Sequence, residues 1–446
     1  MPRSNVVITG LGVVSSIGIG GDAYFQGLLE QQSGVTSLAN RSDEGAKPSE
    51  SDALEGQWIG GPIIEFDAKQ YVRPRKALKV MCREIQTAFA ASQLAIDEAG
   101  LAESFPASET GALKPMDIGT VFGSEMFYGP PSDMTDAIRH SVDEEGEFDP
   151  ARFGVAAMKN VMPLWMLKYL PNMPACQVGI ALNAHGPNNT LVLGDVSGPA
   201  ATVEAVSCIE RGIAKVMIAG ATGTRVNTTR MNYRHDLPLA SVFDPIERSA
   251  RPHDLESAGV VGGEAAASLV LESREHAASR DANPIAKLVS YASCFVASGG
   301  MKRAERSVDL ECGVRGSAQA LKLAIELALK DGDLRPEQVG LVVSHAMGDP
   351  VMDGAERTAL QEVLPGVPVV APTAAIGHTG AASGTMGIVT GVLALAKKMI
   401  PPTPSTPTTA SNAGFVTEPE PLTKEVVVCL SQTSEGSATA IVLASV

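Results

Sequence analysis

The stretch Gly186–Thr222, GPNNTLVLGDVSGPAATVEAVSCIERGIAKVMIAGAT, constrains the fold more than any other. It reads as a strand over Thr190–Leu193, a tight turn at Gly194-Asp195, a helix from Val196 to about Arg211 and a strand over Val216–Gly220. The apolar run before the turn has the length of a buried strand. Small residues cover most faces of the helix (Ala200, Ala201, Ala205, Ser207, Cys208), so it is expected to be packed on all sides. A strand turning sharply into such a helix sets Asp195 at the helix N-terminus, where free N–H groups and the dipole favour an anion. Asp is also among the best N-capping residues, so a structural cap and a chemical role both stand open.

At 446 residues the chain exceeds the usual single-core size and predicts two packed halves. With 44% apolar and 19% charged residues it has the balance of a globular protein. A net charge of −15 speaks against a nucleic-acid partner, since nothing offsets phosphate repulsion. Cys82, Cys176, Cys208, Cys294, Cys312 and Cys429 are scattered without metal-type spacing and read as reduced thiols. The N-terminus enters a strand at once, and no apolar run of about 18 residues is evident. A cytoplasmic protein without a membrane segment is expected.

Asn5–Thr9 is a β-rich run ending in Gly10-Leu11-Gly12, but Ser15 stands where a dinucleotide fingerprint needs its third glycine. Residues 38–60 are polar and read as a surface insertion. Arg73, Arg75, Lys76 and Lys79 form the densest basic cluster, either a solvated helix start or a docking site for an acidic partner. Met81–Gly100 reads as a helix and Asp117–Gly123 as a strand. Methionines 158, 162, 166 and 173 read as gap fillers, and Cys176 falls within a helix ahead of the Gly194 turn. The second half repeats the outline: helix Arg315–Lys330, strand Val339–Ser344, helix, Gly-rich turn, strands Val426–Leu430 and Ala440–Leu443. Its distinctive passages are SHAMGDPVMDGAE with His345, PTAAIGHTGAASGTMG with His378, and SQTSEGSATA with Ser434.

Taken together these passages resemble the β-ketoacyl-[acyl-carrier-protein] synthases, the condensing enzymes of fatty-acid and polyketide synthesis. VVITGLGVVSSIG matches the family's opening strand, and RPHDLESAGVVGGEAAASLVLES is similar to its R-P-[WF]-D…G-E-G-A…LVLE passage. There His253 replaces an aromatic residue, and Glu264 keeps an acid expected to brace a loop. Residues 148–178 resemble the dimer and pocket-lid region. The resemblance implies an α/β thiolase-like fold, two similar βαβαβ-type halves in a five-layered α-β-α-β-α core. Residues 1–255 would form the half with the nucleophile turn, and 256–446 the half with both histidine motifs.

The departures from the family lie in the site. Asp195 falls on the nucleophilic Cys, His345 and His378 on the two catalytic histidines, and Thr373 on the Lys. Glu356 keeps the acid that commonly pairs with that Lys, and Asp353 the acid before it. Ser434 takes the place of the gatekeeper Phe and Glu435 that of a glycine. The oxyanion donors, the backbone amides of Asp195 and Ser434, need no side chain. The pocket would hold the acids Asp195 and Glu356 with two imidazoles and no fixed cation. Burial of those acids calls for proton uptake or a bound metal, and a pair of Asp195 with a histidinium is the favoured response. Acyl-carrier protein and acyl thioesters are the implied partners, with the basic cluster at residues 73–79 for docking. A homodimer, or a heterodimer with a Cys-containing synthase, is expected, with no cofactor. The reading is a non-condensing, chain-length-factor-like or decarboxylating family member. The alternative is an enzyme with changed acyl-thioester chemistry at Asp195, His345 and His378, with metal assistance as one option.

Overall fold

A computed structural model describes residues 5–38, 58–227, 237–298, 315–404 and 414–446. Most of the expected insertion at 38–60, and Cys312, lie outside the described residues. The first half contains β1 (Val6–Ser15), α1 (Arg83–Glu98), β2 (Ile118–Gly123), α2 (Met173–Leu182), β3 (Asn188–Leu191), α3 (Ser197–Glu210), β4 (Val216–Thr224) and β5 (Gly262–Ser273). The second contains β6 (Ala286–Phe295), α4 (Ala318–Asp331), β7 (Val339–Val343), α5 (Pro350–Val363), β8 (Val369–Val370), α6 (Ser383–Lys397), β9 (Val426–Gln432) and β10 (Ser437–Ala444).

The sheet order shows the duplication. Hydrogen-bonded neighbours run β8-β7-β9-β10-β6-β1-β5-β4-β2-β3. Counted within each half from the centre outward, both have the order first, fifth, fourth, second, third. The strand directions also match. β2 is parallel to β3 and β4, as β7 is to β8 and β9, while β5 and β10 run antiparallel to their neighbours in each half. The halves join where Val6, Val7 and Ile8 of β1 face Leu288, Lys287 and Ala286 of β6.

Side-chain alternation along the strands builds the layers. In β5, Ala265, Ala267, Leu269 and Leu271 enter the central core, while Val270 faces α1 and α2. In β9, Val427 and Cys429 point to the centre, and Val428 and Leu430 face α4 and α5. The central layer is α3 and α6, buried between both sheet halves. A Cβ on Gly198 would come within 2.0 Å of Thr385 Oγ1, so only glycine lets these two helices approach. The result is the five-layered α-β-α-β-α arrangement.

Some sequence expectations shift. The strand before the Gly194 turn is Asn188–Leu191 rather than Thr190–Leu193, because the Leu193 N–H donates to Ser197 Oγ at 2.8 Å instead of to a neighbouring strand. Residues 262–273 lie in the first half's sheet, paired along their length with β1 and β4, so the chain changes halves after Ser273 and not at 255/256. Gly380–Lys397 is by length and composition apolar enough to cross a membrane, contrary to the expectation of no such run, and it is buried here as the central helix and the turn before it.

Candidate active site

Gly194 makes the turn with φ +63°, a left-handed conformation that suits glycine, and its Cβ position faces Thr433 Cγ2 at 3.6 Å. Ser197 Oγ closes the turn, donating to the Gly194 carbonyl at 2.5 Å. The N-cap of α3 is Val196, with no side-chain cap, so the capping role open to Asp195 is not the one it takes. Its carbonyl instead accepts from Ser431 Oγ at 2.8 Å, and its carboxylate crosses to the other half. There His378 Nε2 lies 2.9 Å and His345 Nε2 4.0 Å from Asp195 Oδ2. Residues from both halves thus converge, all three buried.

The histidines are held by backbone. The His378 N–H donates to the Val261 carbonyl at 2.8 Å, and its own carbonyl accepts from the Gly263 N–H at 2.8 Å, stitching it to the entry of β5. His345 stands two residues past the end of β7, within a bracketed loop. The Asp353 carboxylate accepts the N–H groups of Met347 (3.0 Å), Gly348 (2.9 Å) and His253 (2.8 Å). Ser344 Oγ accepts from the Ala346 N–H and meets His253 Nε2 at 2.8 Å. The His345 and His378 rings stand edge-on, their centroids 6.3 Å apart.

Burial would raise the Asp195 carboxyl, but the charge of His378, its hydrogen bond, His345 and Arg225 together hold it well below the usual carboxylate range. Burial, only partly opposed by Asp195, pushes His345 down to about 4, so its imidazole is neutral. Among the described residues neither ring nitrogen of His345 has a hydrogen-bond partner. The site therefore joins a carboxylate tied to one imidazole with a second imidazole whose nitrogens are unengaged. Its donor atoms, one from each residue, all lie within 4.8 Å of one another, a set able to hold a metal.

The other predicted residues take different places. Thr373, expected at the Lys position, donates its hydroxyl to the Ala346 carbonyl and braces the His345 loop. Glu356 is fully buried with Gln432 Nε2 at 3.3 Å and His253 Nε2 at 3.8 Å. Burial pushes its carboxyl up to about 8 against the opposing Ser344, His345 and Gln432 contacts, so it is protonated at neutral pH. His253 is itself neutral, pushed down to about 3 by burial and Arg357, and supplies no counter-charge. Ser434 lies in the turn joining β9 to β10, where its carbonyl accepts the Gly316 N–H at 2.8 Å. Glu264 braces a loop as expected, accepting from Arg83 Nε at 2.8 Å and the Ile63 N–H at 3.0 Å. Arg73, Arg75, Lys76 and Lys79 are all exposed, with Arg75–Val80 forming a 3-10 helix; Arg73 donates to the Lys69 and Val72 carbonyls.

Sequence reasoning missed Ser431, Gln432 and the Glu125–Arg225 pair. The pocket does have a fixed cation nearby: Arg225 Nη1 donates to Glu125 Oε2 at 2.5 Å, and the guanidinium lies against Gly380. The hint was Arg225 itself, standing directly after the apolar small-residue strand that follows the key helix.

The comparisons with known proteins agree with this architecture. The family described as "Beta-ketoacyl synthase, N-terminal domain" matches residues 3–277, and its C-terminal domain matches residues 310–406. The chain is 29% identical over 419 residues to a 3-oxoacyl-[acyl-carrier-protein] synthase 2 of Synechocystis sp., covering 90% of this chain and 88% of that one. It is 27% identical over 416 residues to the tetracenomycin polyketide synthase ketoacyl synthase beta subunit of Streptomyces glaucescens, with 92% and 90% covered. The solved ishigamide ketosynthase/chain length factor shares its fold, with a TM-score of 0.77 at 21% identity and 100% of both chains covered. With its two halves, its central helices and these matches along nearly its whole length, the chain belongs to the β-ketoacyl synthase family.

Proposed function

We propose that this chain is a non-condensing member of the family that binds acyl chains carried by acyl-carrier protein, as a chain-length-factor-like partner of a Cys-containing synthase. One observation carries the reading. The residue at the nucleophile position is Asp195, and its carboxylate is engaged by His378 at 2.9 Å. Attack of a carboxylate on a thioester would give a mixed anhydride, a high-energy species in place of the usual acyl-thioester intermediate. Among the described residues the cysteines lie elsewhere: Cys82 before α1, Cys176 in α2, Cys208 near the end of α3, Cys294 in β6 and Cys429 in β9. The Cys429 thiol donates to the Gly387 carbonyl, and burial raises it far above its ordinary range.

The names of two relatives support the partner assignment, one a ketoacyl synthase beta subunit and one a ketosynthase/chain length factor. A further solved neighbour, 22% identical, is a ketosynthase in complex with its acyl-carrier protein. The exposed basic cluster at Arg73, Arg75, Lys76 and Lys79 suits such an acidic partner. The edge strand β3 pairs on one side only among the described residues, and exposed Ile180, Val192 and Leu193 flank it. An unprotected edge beside apolar side chains supports dimerisation there. Decarboxylation is disfavoured because ionised Asp195 would repel a malonyl carboxylate. Condensation from acyl- and malonyl-carrier protein, assayed with the chain alone, with a Cys-containing family member alone and with both, tests the reading. No ketoacyl product from the chain alone, and a changed product length or yield from the pair, are expected. Ketoacyl product from the chain alone would overturn it.

A further inference from the structure

Hydrogen bonding leaves part of the Asp195, His345 and His378 cluster unused. Both His345 nitrogens are buried without a partner among the described residues, and the residue is only 2% exposed. Native interiors rarely leave such groups unpaired, and a catalytic role, an ordered water or a bound ion is the usual reason. We propose that Asp195, His345 and His378 form a site for one divalent transition-metal ion, zinc(II) being the reference, with an open coordination position.

The donor chemistry fits: two imidazoles and one carboxylate are borderline ligands that zinc and its neighbours accept, leaving positions for water or substrate. The geometry fits as well. Donors around a tetrahedral zinc sit about 3.3 Å apart, because each is about 2.0–2.1 Å from the metal. Here Asp195 Oδ2 is 2.9 Å from His378 Nε2 and 4.0 Å from His345 Nε2, and no pair in the set exceeds 4.8 Å. The required spacing falls inside that range, so the ion needs small side-chain rotations rather than backbone movement.

The frame is prepared for it. The Asp195 carbonyl is held by Ser431, the His378 backbone by Val261 and Gly263, and the His345 loop by Asp353. Positioned ligands of this kind are what metal sites need. On binding, the ion takes the place of the proton that His378 Nε2 donates to Asp195, and that proton leaves to solvent or to Nδ1. His345 already offers a free lone pair.

This inference uses the same side chains as the function proposed above, but it does not depend on whether the chain condenses. The test uses full-length protein without a histidine tag, stripped by a chelator and titrated with cobalt(II), then with zinc(II) in competition. One equivalent of cobalt with visible absorption, displaced by zinc, is expected. X-ray absorption of the zinc adduct should count two imidazoles, a readout that needs no variant. Asp195→Asn, His345→Ala and His378→Ala should each weaken zinc on the order of 100-fold, since even outer-shell losses cost 10–100-fold. No stoichiometric binding, fewer than two imidazoles, or unchanged affinity in all three variants would overturn the site. A chain that binds zinc and also condenses would remove the non-condensing reading alone.

Discussion

Replacing Glu356 by Gln should make the protein more stable at neutral and alkaline pH, an unusual outcome for a buried polar substitution. Glu356 is fully buried beside Gln432, and Thr373, expected at the lysine position, carries no charge. Burial raises its carboxyl from 4.5 to about 8. Between those values the native state holds a proton that the unfolded chain has released, so stability falls as pH rises through the window. Each pH unit is worth about 1.4 kcal/mol, which gives a loss of about 3 kcal/mol by pH 7 and about 5 kcal/mol by pH 8. Gln cannot ionise and escapes this loss, while its altered hydrogen bonding costs about 1 kcal/mol at any pH. The variant should therefore be slightly less stable than the parent at pH 5 and several kcal/mol more stable at pH 8 to 9. Urea denaturation of both proteins from pH 5 to 9 measures the difference, in which most other titrating groups cancel. Asp353, raised to about 6 by burial and near enough to influence Glu356, will broaden the transition. A stability difference that stays constant across pH would refute the reasoning and imply an ionised Glu356 with an unrecognised counter-charge.

Three further outcomes are expected. Asp195→Cys alone should not restore efficient condensation, because Thr373, expected at the lysine position, braces the His345 loop without a charge, and Ser434 and Glu435 are expected where the family has its gate; abundant ketoacyl product from this variant would show that those differences hardly matter. Charge reversal at Arg75, Lys76 and Lys79 should weaken acyl-carrier-protein binding at least about tenfold and flatten its salt dependence, and unchanged binding would place docking elsewhere. Glu272 is held down to about 2, burial being outweighed by hydrogen bonds from Arg280, His276 and Thr9. The stability it contributes is present above pH 4.5 and lost as pH falls toward 2, so Glu272→Gln should be destabilising at pH 7 by about 3 kcal/mol and nearly silent near pH 2; a pH-independent penalty would contradict the assignment.

The framework of the fold was legible in the sequence because it rests on local signals. The strand–turn–helix around Gly194, the small residues of the central helix and the repeated outline each follow from periodicity and side-chain size. Boundaries slipped where a side chain intercepted the backbone: Ser197 takes the Leu193 N–H and ends the strand early, and Ser317 caps α4 and starts that helix later than expected. The half boundary was misjudged because β5 follows a long loop, and only its pairing with β1 and β4 shows which sheet it joins. In the site, the convergence of Asp195, His345 and His378 was readable from motifs. The electrostatics was not, since Arg225 and Glu125 are 100 positions apart in the chain. Nor was the separation of the two acids, with Asp195 tied to His378 and Glu356 kept neutral among Gln432, Ser344 and His253.

The central claim, that Asp195 ends nucleophilic acyl transfer in this chain, is tested most directly by intact-protein mass spectrometry after incubation with acyl-loaded carrier protein. A Cys-containing family member serves as the positive control and should gain one acyl group. An unchanged mass is expected for this chain under conditions in which it binds the carrier protein. A stoichiometric acyl adduct, mapped by peptide sequencing to any residue of the site, would contradict it.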